Sequence, residues 1–382
     1  MEKLIVKNFG PIKHAEINLT KYVVFIGDTS TGKSVLAKLI AIFRDSFLRF
    51  SINEEKNINF KEELKKYNID FNYKKSEISY FEQEIELLRL VKDSITLVDE
   101  KTKIKNHIQY KEVINQLSKN VFSKMLDFDE KLFLTESINR TINNLLSIYI
   151  PAERILFSMV GNSISGLWAN NVALPECYKE FAAKYEVSRK YINYVDFKDF
   201  NISYNFNKGI DEVIVNKNKI LLNEASSGIQ SLIPLLLVLS YDISKHVGDY
   251  EKALIIEEPE LNLYPEKQKM LISNVISHIY NKNRKLIITT HSPYILSALD
   301  TLMLAKNTFN ENLDLKDEIN AIIPESNWID YEDISVYEVR EDGKVYSIKN
   351  EEYKSIDTNA IDNVSDIISE EFDKLTELRY AH

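Results

Sequence analysis

Short apolar runs alternate with longer amphipathic stretches along much of this chain. Three runs have the length and composition of buried strands, at Tyr22–Ile26, Ala253–Ile256 and Lys285–Thr290. Two apolar stretches are long enough to form helices instead, at Ser34–Phe43 and Ile229–Leu239. Strands and helices that follow one another in this way predict an α/β fold.

The α/β pattern is interrupted after the first of these helices. Residues 46–148 are rich in Lys, Glu, Asn and Ile and contain no Gly or Pro. Helical patterns occur at Phe60–Tyr67, Ile108–Val121 and Lys131–Leu146, and Ile95–Val98 is interpreted as one strand of a hairpin. We therefore expect a mainly helical insertion. It either presents a surface to a partner or an oligomer, or merely completes the domain.

Smaller β structures are predicted later in the chain. Phe197–Asn223 alternates and carries turn signals, which predict a β-meander. Ile334–Val339 and Lys344–Ile348 predict a hairpin, and Ile361–Leu378 predicts an amphipathic helix. The domain boundaries that follow are residues 1–45 and 149–310 for the core, 46–148 for the insertion, and 311–382 for a small C-terminal α/β extension.

The strand at Tyr22–Ile26 leads directly into a phosphate-binding sequence of the form G-x-x-x-x-G-K-[ST]. Its glycines let the backbone wrap a phosphate, and the N-terminus of the next helix adds partial positive charge. Lys33 is expected to reach the β- and γ-phosphates and to be solvated when no nucleotide is bound. The hydroxyl of Ser34 is expected to bind Mg²⁺. The residues expected to contact nucleotide here are Gly27, Asp28, Thr29, Ser30, Thr31, Gly32, Lys33, Ser34 and Val35.

Two later strands end in candidate catalytic residues. Beside a phosphate loop, Glu257 suits Mg²⁺ binding, and Glu258 suits the polarisation of an attacking water. His291 follows the strand Lys285–Thr290 and would lie at the ligand-binding edge of the sheet, within reach of a γ-phosphate. Each has a plainer interpretation, since a Glu pair can simply end a strand at the surface and a lone His is more often structural.

A third segment, Ser226-Ser227-Gly228, opens the helix predicted at Ile229–Leu239. A helix N-terminus with small polar residues can bind an anion such as a phosphate. Taken alone, the segment is better explained by an ordinary serine N-cap.

The order of these four segments resembles the Walker A, signature, Walker B and switch-histidine motifs of ABC-type P-loop ATPases. The sequences at Leu4–Ile12, Glu257–Pro265 and Thr290–Leu296 are similar to the OLD- and RecF-related branch of that superfamily. Tyr149–Arg154 and Ser226–Ser231 look similar to the AAA-family ATPase subunits of bacterial antiphage systems such as Septu, PARIS and retron-associated modules. The resemblance implies an ABC-ATPase-like P-loop fold with a mixed sheet, ATP and Mg²⁺ as cofactors, and ATP hydrolysis.

The resemblance is not complete. Glu257 stands where most ABC proteins have Asp, and the signature contains Ser-Ser-Gly instead of Ser-Gly-Gly. Tyr264 replaces the Asp that is usual at the dimer-facing loop. No convincing Q-loop glutamine is found, and Arg154 lies near that position with its role open.

Composition sets limits on the class of protein. The 382 residues permit one large domain with an insertion, or two domains, and 44% hydrophobic residues permit a sizeable core. Cys177 is the only cysteine, so we expect a reducing compartment. We expect a cytoplasmic protein without a membrane partner, because Met1–Leu4 lacks signal-peptide features and the apolar run Leu232–Leu239 is too short to span a bilayer. The net charge of −10 does not favour broad nucleic-acid binding, although a local basic groove is compatible with it.

Partners and function follow from the resemblance. It implies a homodimer or higher homo-oligomer in which Ser226, Ser227 and Gly228 of one subunit close over the γ-phosphate held by Lys33 of another. The expected function is an ATPase subunit of an antiphage complex that senses infection or regulates a separate effector, such as a nuclease or toxin. The alternatives are a RecF-like DNA-repair ATPase and a nucleotide-locked scaffold with little turnover.

Overall fold

The computed structural model describes residues 2–45, 59–71, 73–91, 94–97, 147–161, 172–244, 252–280, 282–357, 369–376 and 379. The strands are β1 (Glu2–Phe9), β2 (Ile12–Leu19), β3 (Tyr22–Ile26), β4 (Glu77–Glu82), β5 (Ile85–Val91), β6 (Ser94–Leu97), β7 (Ser147–Ile150), β8 (Tyr194–Phe197), β9 (Ile202–Asn207), β10 (Ile210–Val215), β11 (Asn218–Leu221), β12 (Lys252–Glu257), β13 (Arg284–Thr290), β14 (Ile334–Val339), β15 (Val345–Ser347), β16 (Lys349–Asn350) and β17 (Ser355–Ile356). The helices are α1 (Lys33–Phe43), α2 (Phe60–Lys66), α3 (Ile155–Val160), α4 (Glu176–Tyr191), α5 (Ser227–Ser244), α6 (Pro265–Ile279), α7 (Pro293–Glu311) and α8 (Lys316–Ile322).

A mixed sheet with the strand order β15-β14-β3-β13-β12-β7 forms the centre of the α/β fold. The strands β14, β3, β13, β12 and β7 run parallel, and β15 joins the edge as the antiparallel partner of β14. This confirms the predicted α/β class with a mixed sheet. The register places Thr290 opposite Ile26 and Glu257 opposite Thr289. The carboxyl ends of these strands therefore meet at one edge, where ligands bind in parallel sheets.

Both faces of the central sheet are covered, which explains why its strands are apolar at successive positions. On β3, Tyr22, Val24 and Ile26 belong to a core shared with α5, α6 and α7, whereas Val23 and Phe25 belong to a core shared with α1. Burying one such aliphatic or aromatic side chain contributes about 1.5–3 kcal/mol. The strand that leads to the phosphate loop is therefore fixed from two sides.

The second core is closed by an antiparallel sheet with the order β2-β1-β4-β5-β6. Here the expectation of a mainly helical insertion is wrong for the residues that are described. Within residues 46–148 these form one helix, α2, and the strands β4, β5 and β6, besides the start of β7. The strand predicted at Ile95–Val98 is present as β6, paired with β5. The helices predicted at Ile108–Val121 and Lys131–Leu146 lie outside the described residues.

The smaller predicted β structures are present. The strands β8 to β11 form an antiparallel meander, and β14 and β15 form the predicted hairpin. Of the helix predicted at Ile361–Leu378, residues 369–376 are described and are helical. Residues 361–368 and 377–378 lie outside the described part. No helix among the described residues combines the length and the apolar character that a membrane crossing requires.

Candidate nucleotide-binding and hydrolysis site

The loop between β3 and α1 depends on two glycines with backbone conformations that other residues avoid. Gly27 has φ 151° and Gly32 has φ 111°. A Cβ atom on Gly27 would collide with the carbonyl oxygen of Val339, and one on Gly32 would lie 2.6 Å from Cδ1 of Ile12. Gly32 is also the N-cap of α1 and offers no side-chain cap. The first backbone N–H groups of α1 are therefore available to a phosphate.

The other predicted loop residues are held by short-range contacts. The backbone N–H of Thr29 donates to Oδ1 of Asp28 at 2.6 Å, and the Thr31 hydroxyl donates to the Asp28 carbonyl at 2.9 Å. Ser30 has a positive φ of 64°. Val35 is half-buried in the first turn of α1. The loop is thus shaped largely by residues within itself.

Lys33 is buried, which corrects the expectation that it is solvated. The side chain is 4% exposed, and Nζ donates to the carbonyl oxygens of Gly27 at 2.9 Å and Asp28 at 2.7 Å. Burial lowers the pKa of Lys33, while the carboxylates of Glu258, Asp28 and Glu260 favour its charged form. The expectation failed because the curved loop brings its own carbonyl groups within reach of the ammonium.

His291 connects the phosphate loop to the carboxylate pair. Its Nδ1 lies 3.4 Å from Nζ of Lys33, and its Nε2 lies 3.3 Å from Oε1 of Glu258. An ammonium group can only donate, so in the neutral ring Nδ1 accepts and Nε2 carries the hydrogen that faces Glu258. The parallel register of β3, β13 and β12 accounts for this meeting of three distant segments.

Glu257 ends β12 as a buried carboxylate with an unused oxygen. It is 3% exposed, and its Oε1 has no hydrogen-bond partner. Burial raises the pKa of Glu257, against the effects of the Lys38 ammonium and of interactions with Tyr149 and Ser34. An unpartnered carboxylate oxygen near a serine hydroxyl is a suitable donor set for Mg²⁺, which prefers oxygen ligands. Both residues predicted to bind the metal, Ser34 and Glu257, therefore fit that ion.

Glu258 lies directly after β12 in an unusual backbone conformation. Its φ is 44°, in the left-handed region that non-glycine residues rarely adopt. Its backbone N–H donates to the carbonyl oxygen of Thr289 at 2.9 Å. The side chain is 26% exposed, in contrast to the buried Glu257. The two adjacent carboxylates thus lie in different environments, one buried and one partly exposed.

Arg154, whose role the sequence left open, lies beneath this turn. It is 0% exposed, and each of its five N–H donors is directed at a backbone carbonyl. The acceptors are Ser231 at 3.1 Å from Nε, Pro151 at 3.1 Å and Glu257 at 2.9 Å from Nη1, and Glu258 at 2.8 Å and Pro259 at 3.2 Å from Nη2. Sequence reasoning could not assign this role, because backbone acceptors leave no residue signal.

Glu260 is a site residue that the sequence analysis missed. Its Oε1 accepts hydrogen bonds from the Thr290 hydroxyl at 2.7 Å and from the backbone N–H of His291 at 2.8 Å. The side chain is 9% exposed, and burial raises its pKa. Glu260 therefore fixes the start of the segment that carries His291. The available signal was its position two residues after Glu258, but a residue after Pro259 is more often in a surface turn.

The predicted signature residues lie at the start of α5. Ser226 and Ser227 are exposed, and α5 begins at Ser227. A Cβ atom on Gly228 would lie 2.7 Å from the carbonyl oxygen of Asn262, so this glycine permits a close approach within the chain. In the part of the chain that is described, no hydrogen bond or ion pair joins these three residues to the phosphate loop. Among the described residues, the three therefore make neither kind of contact with Lys33 of the same chain.

Comparisons with known proteins found one partial family match and several distantly similar structures. A family model of the AAA ATPase domain matches residues 162–296, which include Ser226–Gly228, Glu257, Glu258 and His291. No curated protein sequence matches the chain. The solved structures that it resembles include heads of SMC proteins, all at low identity.

The crystal structure of the SmcHead bound to the C-winged helix domain of ScpA gives a TM-score of 0.40 at 12% identity, covering 91% of this chain and 96% of that one. The Smc head domain with an extended coiled coil, bound to the C-terminal domain of ScpA derived from Pyrococcus furiosus, gives 0.38 at 12%, with coverages of 97% and 99%. The SMC head domain from Thermotoga maritima gives 0.33 at 13%, with coverages of 78% and 90%. The chain is thus an α/β protein with a mixed sheet that is similar to AAA-type ATPases over residues 162–296.

Proposed function

We propose that this protein binds and hydrolyses ATP at the edge formed by β3, β13 and β12. The observation that carries the proposal is the connection from Lys33 through His291 to Glu258, with distances of 3.4 Å and 3.3 Å. It joins a phosphate-binding cation to a carboxylate that is partly open to solvent. Such a pairing suits phosphoryl transfer to water, where catalysis consists mainly of positioning and charge stabilisation.

Binding exchanges one set of contacts for another. The Lys33 ammonium leaves the carbonyl oxygens of Gly27 and Asp28 and donates to phosphate oxygens, while the N–H groups at the start of α1 donate to the same phosphates. The exchange is favourable because charge-assisted hydrogen bonds are stronger than those to neutral carbonyls. When Mg²⁺ is bound through Ser34 and Glu257, it neutralises phosphate charge.

Hydrolysis then depends on Glu258 and His291. The Glu258 carboxylate orients a water molecule and accepts its proton as the oxygen attacks phosphorus, and the leaving group is ADP. The His291 N–H at Nε2 holds the free Glu258 carboxylate, and the ring lies beside Lys33, where a γ-phosphate would meet it. Loss of a general base of this kind slows a reaction by about 10²- to 10⁴-fold.

Phosphate release measures this proposal directly. Wild-type protein with Mg²⁺ and ATP is expected to release phosphate, and Glu258→Gln is expected to bind ATP without comparable release. If the wild type binds ATP but releases no more phosphate than Glu258→Gln in a single turnover, the nucleotide-locked scaffold is the better description. Stimulation of release by DNA ends or gaps would favour the DNA-repair ATPase instead.

We also propose that nucleotide closes a homodimer or higher homo-oligomer, which regulates a separate effector in an antiphage complex. The exposure of Ser226 and Ser227 at the start of α5 supports a role across subunits. The similarity of the motif sequences to antiphage ATPase subunits supports the biological role. Pull-down from native cells with mass determination of the complex tests the assembly, and recovery without an effector nuclease or toxin would contradict it.

A further inference from the structure

Arg154 is fully buried, and its side chain forms five hydrogen bonds to the backbone around the carboxylate pair. Its guanidinium has 0% exposure, and all five N–H donors meet backbone carbonyls. Burial lowers the pKa of Arg154 to about 10, and the carboxylates of Glu260, Glu258, Glu153 and Glu257 favour the charged form. Arg154 is therefore a cation at neutral pH, and its hydrogen bonds are of the stronger, charge-assisted kind.

The five acceptors belong to three segments that are distant in sequence. Pro151 follows β7, Ser231 lies in the second turn of α5, and Glu257 ends β12 with Glu258 and Pro259 directly after it. Ser231 is only one turn beyond Ser227, where α5 begins. Arg154 thus links the start of α5 to the turn that carries both carboxylates.

The turn at Glu258 needs such support. A non-glycine residue in the left-handed region is strained and persists only where its surroundings fix it. Glu258 has φ 44°, and Arg154 donates to its carbonyl and to the carbonyls on either side. The Glu258 N–H also donates to the Thr289 carbonyl, and the Glu258 carbonyl also accepts from the Leu261 N–H at 3.1 Å. Without the guanidinium, three successive carbonyls lose a donor at the point of strain.

We propose that Arg154 is a positioning residue for hydrolysis, holding Glu258 beside His291 and tying it to the start of α5. This inference rests on the proposed ATPase activity. All hydrogen bonds of the Arg154 side chain go to backbone carbonyls, so Arg154 does not itself contact the nucleotide. It acts through the backbone of Glu257 to Pro259. It therefore affects the catalytic step more than nucleotide binding, because Lys33 and the loop glycines belong to a separate segment with its own contacts.

Arg154→Lys tests the proposal, since an ammonium keeps the charge but donates at most three hydrogen bonds. The turnover number is expected to fall about 10²-fold, the scale of a 1 Å misplacement in an active site. The dissociation constant for ATP is expected to stay within about threefold of the wild-type value. If Arg154→Lys does not fold, Arg154→Gln replaces it, because the neutral amide avoids burying a charge. Its turnover number and ATP dissociation constant are compared with those of the wild type in the same way.

Arg189→Lys is the matched control. Arg189 is likewise buried, at 3% exposure, but it bonds Asp211 and the carbonyl of Gly161, away from the carboxylate turn. Its substitution is expected to lower thermal stability while leaving the turnover number per folded molecule unchanged. The folded fraction of each variant is measured by circular dichroism at the assay temperature.

A double variant separates positioning from general destabilisation. If Arg154 acts through Glu258, then Arg154→Lys combined with Glu258→Gln turns over no more slowly than Glu258→Gln alone. Multiplied losses in the double variant, or a loss in Arg154→Lys no larger than in Arg189→Lys, would overturn the inference. An inactive wild type would instead overturn the proposed ATPase, and this inference with it.

Discussion

The two halves of the candidate site are built in different ways. The phosphate loop, Gly27–Ser34, is held largely by bonds among its own residues, such as those from Lys33 to Gly27 and Asp28. The hydrolysis half combines the end of β12, the end of β13 and Arg154, which is 105 residues from the Pro259 carbonyl that it contacts. Binding is thus encoded locally, whereas hydrolysis depends on the assembled fold. Substitutions in the two halves should therefore change different constants.

The largest expected effect is on binding. Lys33→Ala removes the cation that meets the phosphates, and two charge-assisted hydrogen bonds correspond to a loss of about 10²- to 10⁴-fold in ATP affinity. Isothermal titration calorimetry measures the dissociation constant, and circular dichroism checks that the fold is intact. An unchanged affinity would show that the phosphate loop is not the nucleotide site.

The opposite result is expected in the hydrolysis half. Glu258→Gln keeps the size of the side chain but removes its basicity, so turnover should fall by at least about 10²-fold while ATP binding persists. Single-turnover phosphate release measures the step, and the ATP-bound assembly should become longer-lived. Loss of hydrolysis in Glu257→Gln but not in Glu258→Gln would mean that the two carboxylates have the reverse roles.

A third experiment asks whether the hydrolysis half is completed by another subunit. Ser227→Glu places a negative charge at an exposed helix start, where it stabilises α5 but repels a phosphate. We expect ATP to bind and turnover to be lost. Ser227 is a better position for this test than Gly228, where any side chain would meet the Asn262 carbonyl of its own chain.

Mixing Ser227→Glu with Lys33→Ala gives the informative measurement. A mixed dimer contains one site with an intact loop and an intact signature, so partial phosphate release is expected only from the mixture. Each variant alone is the control, and native mass measurement confirms that mixed assemblies form. Absence of release from confirmed mixed assemblies would show that each subunit acts by itself.

The same contrast explains what the sequence could predict. The strand predicted at Tyr22–Ile26 has the same first and last residues as β3. The loop motif directly after it could also be located from the sequence, because the motif and the apolar pattern beside it are local. The bonds of Arg154 and Glu260 could not be assigned, since their partners are brought near by the register of β12 and β13. The strands β4 and β5 were missed for a related reason. β4 pairs with β1, which is far away in sequence, and a register shift between Tyr80 and Phe81 interrupts the alternation where β4 pairs with β5.

The smallest expected effect concerns stability and lies outside both halves. Lys184 of α4 donates to the Ser147 carbonyl at 3.2 Å. Ser147 is the first residue of β7, at the end of the strand opposite to the site edge. Part of its side chain reaches the surface, but burial of the ammonium lowers its pKa to about 8. Lys184→Met should leave ATP affinity and turnover at pH 7 unchanged and alter how stability depends on pH.

The direction follows from the two pKa values of Lys184. The ordinary value of 10.5 applies to the unfolded chain, so between about pH 8 and 10.5 the unfolded state binds more protons than the folded one. The free energy of unfolding of the wild type should therefore rise across this window relative to Lys184→Met, by on the order of 1–3 kcal/mol. Lys252 adds to the lowering, whereas Glu180 and Asp242 oppose it. Urea denaturation of both proteins at pH 7.5, 9 and 10.5 measures the difference in their free energies of unfolding across that pH window. A constant difference would mean that the Lys184 ammonium is as well solvated in the folded protein as in the unfolded chain.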